Sequence, residues 1–130
     1  MIGKMVRVAL GAAIAATMMG TAVLPASAAS GDVIRQGSCS AGSTWKLKLK
    51  PDNGQIQVEY EVDSNVVGQT WRVRIGKNGT AILTGVRMTQ APSGSFTVRL
   101  LTTDGAGTDR FGASAKNPAT GETCAGFAAI

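Results

Sequence analysis

The chain has pairs of acidic side chains that could support catalysis or metal binding, but it has no histidine. Without an imidazole there is no Ser-His-Asp or Cys-His catalytic arrangement and no histidine ligand for a metal. Glu59 and Glu61 stand two residues apart in an alternating pattern, which would place their Cα atoms roughly 7 Å apart on one strand face. That spacing would suit the paired carboxylates of a glycosidase, but lysines are expected opposite them on an exposed hairpin. We therefore expect a surface charge pair and no catalytic residue.

The glycine-rich loop 104–109 begins and ends with an aspartate. Its carboxylate and carbonyl oxygens could bind Ca²⁺, but the loop lacks the closely alternating acids of a dedicated calcium loop. The glycines are better explained by the turn itself. We expect no metal site and no cofactor, with calcium binding by this loop as the alternative.

The beginning of the chain has the pattern of an export signal. Lys4 and Arg7 precede an apolar run over 8–24, and the run 25–28 ends in the small-x-small pattern that signal peptidases recognise. We expect cleavage after Ala28, which predicts a secreted, extracellular protein with no membrane attachment after cleavage. A retained membrane anchor is the alternative, although the apolar run is short for a membrane-spanning helix.

The length and cysteine content after residue 28 indicate one domain with a single disulfide. About 100 residues suit a single hydrophobic core, and two cysteines in an exported chain most simply form one disulfide, Cys39 to Cys124. The predicted boundaries are a signal peptide over 1–28, an N-terminal extension with Cys39 over 29–42, and a β-sandwich over 43–130.

The charge of the chain is only mildly positive once the export signal is removed, since the whole-chain value of +5 includes Lys4 and Arg7. Nucleic-acid-binding domains usually combine a concentrated basic stripe with aromatic side chains that stack on bases. This chain has two Trp, one Tyr and three Phe and no such stripe. We therefore expect no nucleic-acid partner.

The remaining sequence alternates apolar and polar residues at period two, with turn residues at short intervals and no amphipathic helix. In the first predicted hairpin, the turn 51–54 places Trp45 opposite Tyr60. In the second, a type I′ turn at 78–79 places Trp71 opposite Val86. Both tryptophans are in phase with inward aliphatic residues, which favours core packing over a platform for sugar rings.

Three further strands follow, and two registers are possible for the last one. A five-residue loop before this strand would bury Ala125 and Phe127. A four-residue loop would bury Cys124 and Ile130. The whole pattern predicts seven short strands, which is typical of an antiparallel sandwich.

Two segments carry a resemblance to known folds. The run 68–75 followed by the turn 78–79 resembles the core-tryptophan strand and next hairpin of an immunoglobulin-like or fibronectin type III-like domain. The run 109–117 with 120–122 is similar to the penultimate strand and final hairpin of those folds, with Phe111 at the tyrosine-corner position. The chain after residue 28 also resembles short secreted proteins of this kind from high-GC Gram-positive bacteria. The resemblance implies a seven-stranded immunoglobulin-like sandwich without implying a function.

In a fibronectin-like arrangement, the third, fourth, sixth and seventh predicted strands share a sheet. The basic residues expected on its outer face are Arg72, Arg74, Arg87, Arg110 and Lys116. The other outer face mixes lysines with glutamates, whose charges largely cancel. Because an unbalanced basic face attracts anions, we predict that it binds a protein or an anionic envelope polymer.

The leading hypothesis is therefore a monomeric, non-catalytic, secreted module that binds a partner through a sheet face. A second hypothesis is a small-molecule carrier, by analogy with the enediyne-binding apoproteins of the same architecture. A third is an inhibitor of a secreted hydrolase, which would need Trp71 and Arg72 to be exposed.

Overall fold

The computed structural model describes residues 31–130, so the predicted signal peptide over 1–28 lies outside the described residues. The described chain contains strands and turns and no helix. Its strands are β1 (Val33–Ser38), β2 (Thr44–Asp52), β3 (Gln55–Asp63), β4 (Thr70–Lys77), β5 (Thr80–Met88), β6 (Ser95–Thr103), β7 (Arg110–Lys116) and β8 (Thr123–Ala129). They form two four-stranded sheets, sheet A in the order β1-β2-β3-β6 and sheet B in the order β5-β4-β7-β8. The predicted all-β class is confirmed, with eight strands instead of seven.

The additional strand, β1, lies within 29–42, where the sequence predicted an extension and no strand. It pairs antiparallel with β2, from Val33 opposite Leu49 to Ser38 opposite Thr44. It also contacts β8, so one side of the sandwich is closed where the two sheets meet. The segment has no clear alternation of apolar and polar residues, which explains why period two did not identify it.

The hairpin of β2 and β3 has a tighter turn than predicted. Asn53 and Gly54 both have positive φ, 51° and 80°, as in a type I′ turn. Trp45 consequently lies opposite Val62, whereas the predicted partner was Tyr60. This register differs from the predicted one by two residues, so every side chain keeps its predicted face.

The hairpin of β4 and β5 contains a bulge that changes one face of β5. The turn at 78–79 forms as predicted, but the register shifts between Ile75 and Gly76. Trp71 therefore lies opposite Arg87 and not opposite Val86. Since side chains alternate along a strand, this shift by one residue reverses the predicted facing of the second half of β5.

The last strand has the facing predicted for the four-residue loop, with Cys124 buried opposite Ala115, but its pairing is shifted by two residues. Cys124 is 1% exposed and Phe127 is 78% exposed. The alternative register, which would have buried Phe127, is therefore wrong. The loop before β8 spans 117–122 and is longer than either predicted loop.

Apolar side chains from both sheets fill the space between them. Trp71 is fully buried, with its ring centroid 6.4 Å from that of Phe96 in the other sheet. The buried hydroxyl of Tyr60 donates a hydrogen bond of 3.2 Å to the carbonyl of Cys124, which links sheet A to sheet B. Burial raises the pKa of Tyr60, so this hydroxyl stays protonated.

The predicted disulfide joins Cys39 to Cys124 across a sequence separation of 85 residues. A buried carboxylate ties together the same two segments. Glu122 accepts hydrogen bonds from the backbone N–H groups of Ala41 (3.0 Å) and Ser43 (2.8 Å) and from the Ser43 hydroxyl (2.8 Å). The turn after β1 is therefore held to the β7–β8 region by covalent and polar contacts.

Candidate binding face

The outer face of sheet B brings together four of the five predicted basic residues. Arg72 and Arg74 project from β4, and Arg110 and Lys116 project from the neighbouring strand β7; all four are exposed. These two strands are not consecutive in sequence, so their adjacency is a product of the sheet order. The four strands predicted to share one sheet do share it.

Arg87 does not belong to this group. Its position opposite Trp71 puts it on the inward side of β5, where it is half-buried. Its Nη1 donates to the carbonyl of Val86 at 3.0 Å, and it lies 3.1 Å from where a Cβ atom on Gly85 would be. The outward positions on this part of β5 belong instead to Val86 and Met88, which are 58% and 50% exposed.

Charges on the outer face of sheet A are paired with opposite charges. Lys46 lies opposite Glu61, and Lys48 lies opposite Glu59. On its other side Glu59 faces Arg99, with which it forms an ion pair. Oppositely charged residues directly across two strands attract each other, so this face is close to electrical balance.

Charges on sheet B are arranged differently. Arg72 lies directly opposite Lys116, so two positive charges face each other. Every charged residue in the four strands of this sheet is a lysine or an arginine. Within residues 31–130, the ion pairs all involve strands of sheet A, and none involves a strand of sheet B. The sandwich therefore has one balanced face and one basic face.

The floor of the basic face is made of small residues. A shallow depression of about 370 Å³ lies beside Arg72, Arg74 and Lys116, and its floor includes Ser114 and Ala125. Short side chains leave the long basic ones free to reach a ligand that lies along the sheet. The sequence showed these small residues, but their position among the cations depends on the pairing of β4, β7 and β8.

Phe127 is a member of this face that the sequence did not identify. It stands on β8 opposite Gly112, and its Cε1 would lie 3.1 Å from a Cβ atom on that glycine. The ring therefore extends from β8 toward β7, one of the two strands that carry the basic residues. The only signal in the sequence was that Phe127 is three residues from Cys124. An odd separation along a strand places two side chains on opposite faces.

Asp109 is the last residue of the loop 104–109, and its carboxylate accepts hydrogen bonds from within the protein. Asp109 accepts from the side-chain amide of Asn78 and from the N–H of Gly105, both at 3.0 Å. The Asn78 bond, and after it the Gly105 bond and the charge of Lys77, lower the pKa of Asp109 despite its burial. In the described part of the chain no group of three acidic, cysteine or histidine side chains is placed to hold a metal ion.

Each of the two alternative functions, inhibitor and small-molecule carrier, requires a structural feature of its own. The inhibitor hypothesis requires an exposed Trp71, which is fully buried. The carrier hypothesis requires an apolar cavity between the sheets, where packed side chains lie. No helix in residues 31–130 has the length and hydropathy required to cross a membrane.

Comparisons with protein-family models, with curated proteins and with solved structures give no match to this chain. The arrangement of its own residues is therefore the basis for a functional conclusion.

Proposed function

We propose that this chain is a secreted, non-catalytic immunoglobulin-like or fibronectin type III-like module that binds an anionic polymer of the cell envelope. The outer face of sheet B is the binding surface. The observation that carries the proposal is the contrast between the two sheets: sheet A matches its charges across strands, and sheet B sets Arg72 opposite Lys116.

Like charges directly opposite each other on neighbouring strands destabilise a sheet. A polyanion that lies across both side chains would remove this repulsion and gain charge-assisted hydrogen bonds. Such attraction extends over about a Debye length and weakens as salt is added. The basic face is thus suited to a ligand with repeated negative charges.

The strand order supports the fold assignment in this proposal. The orders β2-β3-β6 and β5-β4-β7-β8 resemble the two sheets of a fibronectin type III-like sandwich, with β1 added at one edge. Export is supported by the signal-like pattern over 1–28 together with the disulfide, since disulfides persist in oxidising compartments.

The test compares two double variants with equal loss of charge. Arg72→Gln with Lys116→Gln removes two cations from the basic face, and Lys46→Gln with Lys48→Gln removes two from the balanced face. Purified Gram-positive cell-wall material and inorganic polyphosphate serve as the binding materials, with retention measured between low and physiological salt.

The first double variant should lose most of its retention and show a weaker salt dependence than the unmodified protein. The second should remain close to the unmodified protein, since its lysines already face glutamates. Equal losses in the two variants would contradict the assignment of the face. Retention of the unmodified protein that does not respond to salt would contradict the proposed function.

A further inference from the structure

The side chains of Phe127 and Arg74 border two neighbouring glycines on the basic face. A Cβ atom on Gly112 would lie 3.1 Å from Cε1 of Phe127, and one on Gly76 would lie 3.1 Å from Nη1 of Arg74. Gly76 and Gly112 are directly opposite each other on β4 and β7. Side-chain positions of opposed residues are about 5 Å apart. The aromatic ring and the guanidinium therefore border adjacent positions of the outer surface.

Cations flank Phe127 on a second side as well. Arg110 and Arg35 line a depression of about 320 Å³ together with Phe127, and no acidic residue lines it. Arg35 belongs to β1, which lies at the edge of the other sheet, so the closed side of the sandwich completes this surface. An exposed aromatic ring thus has a positive charge available in two directions.

A single exposed phenylalanine is ordinary on a protein surface. What distinguishes Phe127 is that the Cδ1–Cε1 edge of its ring borders Gly112 while the side chain stays 78% exposed, and that the charged groups around it are arginines. An open aromatic face offers contact to a flat, partly apolar ring. An adjacent guanidinium offers two parallel N–H donors to a carboxylate or phosphate.

We propose that Phe127, Arg74 and Arg110 form a subsite for a uronic acid unit of a polysaccharide. This inference rests on the proposed function and names the chemistry of its ligand. The pyranose ring would stack on Phe127. Its carboxylate is bonded directly to a ring carbon, which places the negative charge at the edge of the ring and within reach of a neighbouring arginine.

A ring-free polyanion would use the arginines of this face but would leave Phe127 without a partner. A neutral polysaccharide would use Phe127 but would leave the arginines without one. Of these three classes of polymer, a polysaccharide whose rings carry anionic groups engages both kinds of side chain. The combination therefore favours a carboxylated sugar over either simpler class.

The experiment uses three polymers of defined chemistry: polygalacturonate, dextran and inorganic polyphosphate. Binding to the chain with its disulfide intact is measured by calorimetry at fixed salt, for the unmodified protein and for Phe127→Ala, Arg74→Gln and Leu101→Ala. Leu101 is the matched control because it is an exposed apolar residue of β6 in sheet A, away from the basic face. Thermal melts of each variant check that folding is intact.

Phe127→Ala should weaken binding to polygalacturonate about threefold to tenfold, the range of one aromatic contact, and leave binding to polyphosphate unchanged. Arg74→Gln should weaken binding to both polyanions, and Leu101→Ala should weaken neither. Dextran should bind much more weakly than polygalacturonate.

Equal losses for the two polyanions in Phe127→Ala would overturn the sugar subsite, as would an unchanged affinity for polygalacturonate. In either case salt-sensitive binding of the unmodified protein would leave the proposed function standing. If the unmodified protein binds neither polyanion, the proposed function and the subsite both fail.

Discussion

Arg72 on β4 and Lys116 on β7 face each other directly across two hydrogen-bonded strands, and both side chains are exposed. No acidic residue belongs to either strand. The two cations therefore repel each other in the free protein, a cost that a bound polyanion would offset.

This pairing predicts that a charge reversal at 116 stabilises the protein. Lys116→Glu would place a carboxylate opposite Arg72 and should raise the free energy of unfolding by about 0.2 to 1 kcal/mol. Urea denaturation at low salt measures the change. The matched variant Lys46→Glu should do the opposite, because it places a glutamate opposite Glu61. A loss of stability in both variants would show that the Arg72–Lys116 repulsion is negligible.

The buried carboxylate of Glu122 predicts a loss of stability in acid. Burial raises its pKa, but hydrogen bonds from Ser43 and Ala41 outweigh that effect, so the pKa lies below its ordinary value of 4.5. A lowered folded-state pKa contributes stability above the unfolded value, and this contribution disappears as the pH falls through the folded value. The melting temperature should therefore hold from pH 7 to about 5 and drop below about pH 4.

Replacement of that carboxylate tests its contribution directly. A glutamine has one acceptor oxygen for the three donors that converge on Glu122, so Glu122→Gln should cost about 1 to 3 kcal/mol at neutral pH. The variant should also lose less stability on acidification than the unmodified protein. Glu61→Gln is the control, since the Lys46–Glu61 pair, at 4.0 Å on the surface, contributes little. An unchanged acid response in Glu122→Gln would assign that response to other carboxylates such as Asp109.

The absence of a side chain at 126 allows Trp45 to pack between the sheets. A Cβ atom on Gly126 would lie 2.2 Å from Cη2 of the Trp45 ring. Gly126→Ala should therefore destabilise the protein by about 1 to 3 kcal/mol through overpacking, as measured by chemical denaturation. Gly112→Ala provides the comparison, because the atom it would approach belongs to the exposed ring of Phe127, which can move aside. Similar losses at both positions would mean that the Trp45 contact has no special weight.

The disulfide predicts both a mass and a stability change. The secreted protein should have the mass of residues 29–130 less two hydrogens. Replacing both cysteines by serine should cost up to about 4.5 kcal/mol for a loop of 85 residues in the chain-entropy description. Melting curves with and without reductant measure the loss. Two free thiols in protein from oxidising medium would contradict this prediction.

The inward faces of most strands could be predicted from the sequence alone. Apolar residues at alternate positions were assigned to the core, and the burial of Leu47, Val58, Trp71 and Phe111 follows that pattern. The reason is local. Side chains alternate along any strand, so a strand with one buried face has apolar residues at every second position. The turn at 78–79 was also predictable, because a type I′ turn requires positive φ at both positions.

The composition of the candidate site depended on tertiary structure. A bulge beside Gly76 removed Arg87 from the basic face, and the register of β8 added Phe127 to it. A bulge inserts one extra residue into one strand of a pair, and the alternation of apolar and polar residues in the two strands does not indicate where it occurs. The sequence by itself determined the secondary-structure class, the core residues of most strands and the export-like pattern of residues 1–28. Which charges face each other across β4 and β7 was decided by the order of strands in the sheet, because the contacts that set this order join residues far apart in the chain.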